Sequence, residues 1–93
     1  WLVTDERIAM LSFTGSPPVG KAIKEKSGFK KVALELGSNS AVVVDESADF
    51  NTAVTACVKG GFSYAGQSCI SVQRIYLQQS IFKTFQEDLV SKV

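Results

Sequence analysis

Histidine is absent from the 93 residues, and that single absence removes much familiar chemistry. Cys-His and Ser-His nucleophile pairs are excluded, as are metal sites that need an imidazole, and nothing else in the sequence suggests a metal ligand set. Any activated thiol must be helped by other means. Cysteine is scarce too: Cys57 and Cys69 are the only two. Two isolated thiols in a non-repetitive context do not make a disulfide framework, so reduced thiols and a cytoplasmic setting are expected. Long apolar runs are missing; the longest, such as Ser40 to Val44, fall far short of the ~20 residues of a membrane-spanning helix. No excess of one charge exists either. Ten Lys and Arg face nine Asp and Glu, and the basic residues are scattered apart from Lys30-Lys31 and the Lys21, Lys24, Lys26 face. That pattern argues against nucleic acid and against a membrane as partners.

What remains is an ordinary globular composition, 45% hydrophobic and 20% charged, with room for at most one small domain. A chain of this length buries only roughly 60–65% of its unfolded surface, so modest stability is expected unless other polypeptide covers its apolar faces. The first residues carry neither a basic stretch nor an apolar core of a secretory signal. Trp1 in place of Met, and an apolar periodicity still running at Val93, lead us to expect a piece of a longer chain.

The order of elements is legible from periodicity. Ile8, Met10, Leu11 and Phe13 form an apolar run closed by Thr14-Gly15-Ser16, which predicts a buried strand and a tight turn. Pro17 and Pro18 fit only at a helix start, where a missing N–H costs nothing; Val19, Ala22 and Ile23 give the stripe and Gly28 the stop. Val32, Leu34 and Leu36 alternate as a second strand, and the Gly37-Ser38-Asn39 turn is read as a crossing between layers or domains. Ser40 to Val44 is a compact third strand. Phe50, Ala53, Val54, Cys57, Val58, Gly61, Phe62 and Ala65 recur at helical spacing, with Asp49 or Ser47 as cap and Gly66 as terminator. Val72, Ile75 and Leu77 predict a fourth strand. Ser80 is expected to cap a last helix with Ile81, Phe82, Phe85, Leu89, Val90 and Val93 on one face. Strands alternating with helices mean an α/β fold, with parallel pairing favoured.

Four features sit at strand ends and turns, where α/β proteins place ligand contacts, and each admits two readings. Gly15 and Gly20 flank a strand-to-helix turn, either as punctuation or as a backbone that faces a phosphate with its amides and positive helix end. Glu35 either points to solvent on an alternating strand or occupies a cavity where an acid is needed. Cys69 follows a helix and Gly66 in a loop, as an inert thiol or one that substrate reaches, whereas Cys57 on the apolar stripe is a packing residue. Asn39 offers an amide contact or plain turn chemistry.

Taken together, Phe13-Thr14-Gly15-Ser16 with Gly20, then Leu34-Glu35-Leu36-Gly37, then Gly66-Gln67-Ser68-Cys69, resemble the aldehyde dehydrogenase superfamily in order and in the 34-residue step from Glu35 to Cys69. Ser71 to Tyr76 and the Phe82 to Leu89 helix are similar as well, so the resemblance covers essentially the whole chain. It implies a three-layer α/β fold in which residues 1–37 are the C-terminal part of an NAD(P)-binding, Rossmann-like domain and residues 38–93 the N-terminal part of a catalytic domain. It implies NAD or NADP as cofactor and a small-molecule aldehyde as substrate, with a homo-oligomer as the parent enzyme. Cys69 would be the nucleophile, its own backbone N–H stabilising the oxyanion, and Glu35 the base that activates water, tuned by its own burial. Gly15, Ser16 and Gly20 would meet the cofactor pyrophosphate, and Leu36 and Gly37 its nicotinamide end.

The departures concern cofactor contacts and loop shape. Pro17-Pro18 replaces the family's commoner Thr-Glu, Ser38 a second glycine, and Ala41 a frequent proline; the first two resemble branches acting on phosphorylated or phosphonate-type aldehydes and lactaldehyde. Two alternatives stay open: transfer of the acyl group to coenzyme A, against which Glu35 speaks, and a non-catalytic piece that self-associates through apolar helices or sheet edges.

Overall fold

The computed structural model describes all 93 residues. They form two compact units, Trp1–Gly37 and Ser38–Val93, in place of the single small domain that the length suggested. The division falls within the polar turn that follows Leu36.

The first unit is a β-α-β motif: β1 (Met10–Gly15), α1 (Pro17–Lys26) and β2 (Lys31–Leu36). The two strands pair in parallel, with Phe13 beside Leu34, Thr14 beside Glu35 and Gly15 beside Leu36. Parallel pairing needs a crossover, and α1 supplies it. Its first two residues are the prolines, and Lys24 and Lys26 stand in its last turn, where positive charge meets the negative end of the helix dipole. The helix ends at Lys26 and Gly28 follows with a φ of 60°, a left-handed conformation that glycine adopts without penalty. β2 alternates as expected: Val32, Leu34 and Leu36 are half-buried while Lys31, Ala33 and Glu35 are exposed. β1 begins at Met10, two residues after the apolar run opens at Ile8.

The second unit repeats the motif and adds a helix: β3 (Ser40–Val44), α2 (Phe50–Phe62), β4 (Val72–Leu77) and α3 (Phe82–Ser91). β3 and β4 are again parallel, with an irregularity between Ser40 and Ala41 that leaves Gln73 unpaired as a bulge at the start of β4. Val44, Val54, Cys57 and Phe85 form the core, and the Phe85 ring meets Phe50 edge to face with centroids 5.5 Å apart. The Asp49 side chain caps α2 by accepting the Thr52 N–H at 2.8 Å, as its place before the apolar stripe foretold. The Thr52 side chain, and then its N–H, hold the Asp49 carboxyl below its usual range.

Two boundaries differ from the periodicity. α2 stops at Phe62, three residues early, because Tyr64 and Ala65 take left-handed φ values of 52° and 54°. Ser80 does not cap α3. Its hydroxyl donates instead to the Glu46 carboxylate at 2.9 Å, and Ile81 stands at the cap position. No helix is long and apolar enough to cross a membrane.

Candidate active site

In the first unit the strand ends decide the geometry. Because β1 and β2 run the same way and stay in register, Gly15-Ser16 and Leu36-Gly37 emerge at the same edge of the sheet. All five residues expected at the cofactor are therefore neighbours in this unit, with Glu35 one position back on β2. A side chain at Gly20 would meet Leu36 Cδ2 at 2.6 Å, and one at Gly15 would meet the Phe13 ring at 2.6 Å. Gly20 thus lets α1 lie close on the end of β2, and Gly15 leaves room for the Phe13 ring. Ser16 occupies the N-cap of α1 without making a side-chain cap bond, so its hydroxyl is uncommitted.

The expected row of backbone amides is thinner than foreseen. Of the four N–H groups that a helix start leaves without partners, two are missing because Pro17 and Pro18 have none. The Ser16 and Val19 N–H groups and the Ser16 hydroxyl remain, alongside the positive end of the dipole. The set fits one phosphate edge rather than a wrap-around cradle.

Glu35 is exposed. The burial expected to tune it is not supplied by these 93 residues, because alternation on β2 turns Leu34 and Leu36 inward and the carboxylate outward.

In the second unit, Cys69 is an exposed free thiol and Cys57 a buried one. Burial pushes the Cys57 thiol up from its ordinary range, which makes it a poorer nucleophile. The loop that carries Cys69 is fastened at several points. The chain leaves α2 through three successive left-handed residues, Tyr64, Ala65 and Gly66, a reversal closed by Gln67 N–H donating to the Tyr64 carbonyl at 3.0 Å. Ser71 is 1% exposed and donates its hydroxyl to the Gly61 carbonyl at 3.1 Å; its N–H donates to the Ser68 carbonyl at 3.0 Å. On the other side, the Ser38 hydroxyl donates to the Cys69 carbonyl, and Arg74 Nη2 donates to the Asn39 carbonyl at 2.9 Å. Arg74 is steadied in turn by the Tyr76 hydroxyl and ring. Asn39 therefore contributes a backbone oxygen here.

Ser71 and Arg74 were missed as loop anchors, and Ser38 stood out only as a departure in a turn. A serine carries no periodic signal, and its partners, a carbonyl 10 residues back and one 31 residues on, are tertiary facts. The one usable hint was Ser71 at the edge of the apolar β4, where an unpartnered hydroxyl would be costly.

The aldehyde dehydrogenase family model matches residues 1–93. The chain belongs to that family. It is 50% identical over 91 residues to the lactaldehyde dehydrogenase of Methanocaldococcus jannaschii, covering 98% of this chain and 20% of that protein. It is 46% identical over 92 residues to the 3-sulfolactaldehyde dehydrogenase of Priestia megaterium, covering 99% of this chain and 19% of that one. Among solved structures, glyceraldehyde-3-phosphate dehydrogenase of M. jannaschii in complex with NADP superposes with a TM-score of 0.93 at 50% identity, over 98% of this chain and 20% of its own. Betaine aldehyde dehydrogenase of Staphylococcus aureus in complex with NAD+ gives 0.93 at 33% identity, over 97% and 18%. The chain thus spans about a fifth of the length of the relatives it matches, and the α/β fold is that of the corresponding stretch of the family.

Proposed function

We propose that this chain is the part of an NAD- or NADP-dependent aldehyde dehydrogenase that carries its nucleophile, Cys69, and its water-activating base, Glu35. The observation that carries the reading is the contrast between the thiols: within a chain of this family, the accessible one sits at the tip of a loop pinned on both sides, and the other is buried in the core. On this reading residues 1–37 close the cofactor domain and residues 38–93 open the catalytic one, in line with the division between Gly37 and Ser38.

The Cys69 thiolate attacks the aldehyde carbon and forms a thiohemiacetal, with its backbone N–H facing the oxyanion. NAD or NADP, when bound, would supply the acceptor for the hydride that the thiohemiacetal carbon loses, and Cys69 would then carry the acyl group as a thioester. Glu35 takes a proton from water, whose oxygen attacks the thioester carbon and releases the acid and the thiol. Ser16 and the Val19 N–H would hold a phosphate of the cofactor, with Gly15 and Gly20 at the strand-to-helix turn that faces it; Leu36 and Gly37 would meet its nicotinamide end. The surface that desolvates Glu35 comes from the rest of the parent protein.

Lactaldehyde, 3-sulfolactaldehyde and glyceraldehyde 3-phosphate share a hydroxyl on the carbon beside the aldehyde, so the substrate is assigned to the small 2-hydroxyaldehydes. The test uses the full-length parent and a panel of 2-hydroxyaldehydes beside their unsubstituted counterparts. Cys69→Ser is expected to lower kcat by at least about a thousandfold, and Glu35→Gln to leave a burst of reduced cofactor followed by slow turnover. Retention of full activity by Cys69→Ser sinks the assignment. Acyl-CoA as product, without free acid, would replace hydrolysis by transfer to coenzyme A.

A further inference from the structure

Cys69 offers its carbonyl to Ser38, a residue that no step above uses. The hydroxyl of serine has one proton. Since Ser38 gives that proton to the Cys69 carbonyl, the 3.0 Å contact between the Ser38 and Ser40 hydroxyls must run the other way, with Ser40 donating. Ser40 is the first residue of β3 and pairs with Val72 of β4. A two-hydroxyl chain therefore runs from the sheet to the nucleophile's own peptide group, each bond polarising the next.

We infer that Ser38 is a positioning residue for Cys69, holding the peptide plane that follows the thiol so that Sγ and the Cys69 N–H keep their orientation on the loop. The loop needs such a tether. Ser71 fixes its far end against α2, and Gly66 with the two left-handed residues fixes its entry. Between them lie Gln67, Ser68, Cys69 and Ile70, of which Ile70 is 79% exposed. The internal bond at the tip, Ile70 N–H to the Ser68 hydroxyl, is long at 3.4 Å. Without Ser38 the Cys69–Ile70 peptide keeps only the turn bond from Ser71 N–H to the Ser68 carbonyl and that long contact, and small displacements of a reacting group are costly in rate. The Arg74 bond to the Asn39 carbonyl holds the segment that presents Ser38, so the tether is built from both sides.

This role rests on Cys69 being the nucleophile, and the experiment separates the two. In the full-length parent, Ser38→Ala, Ser38→Thr and Cys69→Ser are compared for kcat, aldehyde KM, thermal midpoint and the rate of iodoacetamide alkylation at Cys69. Ser38→Ala is expected to lower kcat about tenfold and to change the alkylation rate, with KM within about twofold and an unshifted midpoint. Ser38→Thr, which keeps the donor, is expected to restore most of kcat. Full kcat in Ser38→Ala beside an inactive Cys69→Ser overturns the positioning role alone. A fall in midpoint that accounts for the lost activity, with no rescue by threonine, overturns it as well. An active Cys69→Ser parent overturns both readings.

Discussion

The two units repeat one topology, a parallel β-α-β crossover, yet they bury very different things. In Trp1–Gly37 the only buried residues are Gly20 and Ser27; every apolar side chain of that unit is half-buried or exposed. Ser38–Val93 buries Val44, Val54, Cys57 and Phe85 around α2 and α3. The difference is one helix. With α3 packed on it, the second motif has an inside, whereas the first has two strands and a single helix and needs a further element to close. The sheet edge at Gly15 and Leu36 is shaped by backbone, through register and glycines, while the Cys69 loop on the cored motif is held by side-chain hydrogen bonds to backbone carbonyls.

The strongest way to break the comparison is to empty the core. Phe85 has no exposed surface, so Phe85→Ala is expected to cost about 3–5 kcal/mol, whereas Phe13→Ala in the first unit, half-buried, costs about 1 kcal/mol. Denaturant unfolding of both variants, followed by circular dichroism, checks this. Equal costs would mean that the first unit has a core of its own.

Next in size is a change beside the Cys69 loop. A side chain at Gly60 would meet Val72 Cγ2 at 2.9 Å, and Val72, β-branched and seated on β4, has little freedom to move. Gly60→Ala should cost about 1–3 kcal/mol through overpacking. Gly20→Ala collides with the flexible end of Leu36, which can turn aside, so its effect on stability should be smaller. Reversal of that order would show that the first unit is the stiffer one.

Those contacts also explain what the sequence could disclose. Alternation at Val32, Leu34 and Leu36, the β-branched run at Ser40–Val44 and the stripe from Phe50 to Phe62 each follow from a local period, and all seven elements were foreseen in order. The misses have tertiary causes. Ser80 finds Glu46, 34 residues away, in preference to the helix start it was expected to cap. Tyr64 and Ala65 are ordinary helix residues that the loop forces into a left-handed turn. At the site, Cys69 and Glu35 stood out through spacing, but the anchors Ser38, Ser71 and Arg74 act through backbone carbonyls, which any residue possesses and no motif records. The thinning of amides at α1 was visible in Pro17-Pro18 and needed only to be counted.

A smaller effect, of opposite sign, comes from the left-handed turn. Ala65 at a φ of 54° has a Cβ crowded against its own backbone, and replacing it by glycine removes that cost while adding some unfolded-state entropy. Ala65→Gly should therefore raise stability by about 0.5 kcal/mol. Because the same turn launches the loop of Cys69, the proposed nucleophile, a drop in kcat of the parent despite the gain in stability would mark the strain as part of the positioning. An unchanged kcat would assign it to chain reversal alone.

The smallest expected effect sharpens the contrast between the thiols. Burial raises the Cys57 pKa, so in alkaline solution the unfolded chain ionises this thiol before the folded one does. The contribution is fully present below the ordinary thiol range and is lost as pH climbs through the raised folded value. Cys57→Ala removes the titrating group at some packing cost, leaving the native chain more stable than the variant near neutrality. That gap, read as the difference in denaturant midpoints at about pH 7 and about pH 10.5, should narrow on the alkaline side. Under native conditions at neutral pH, iodoacetamide should meanwhile label Cys69 and spare Cys57. A constant gap, or equal labelling of the two, would mean that the core around Val44, Val54 and Phe85 admits solvent to the sulfur and that the second unit is no better closed than the first.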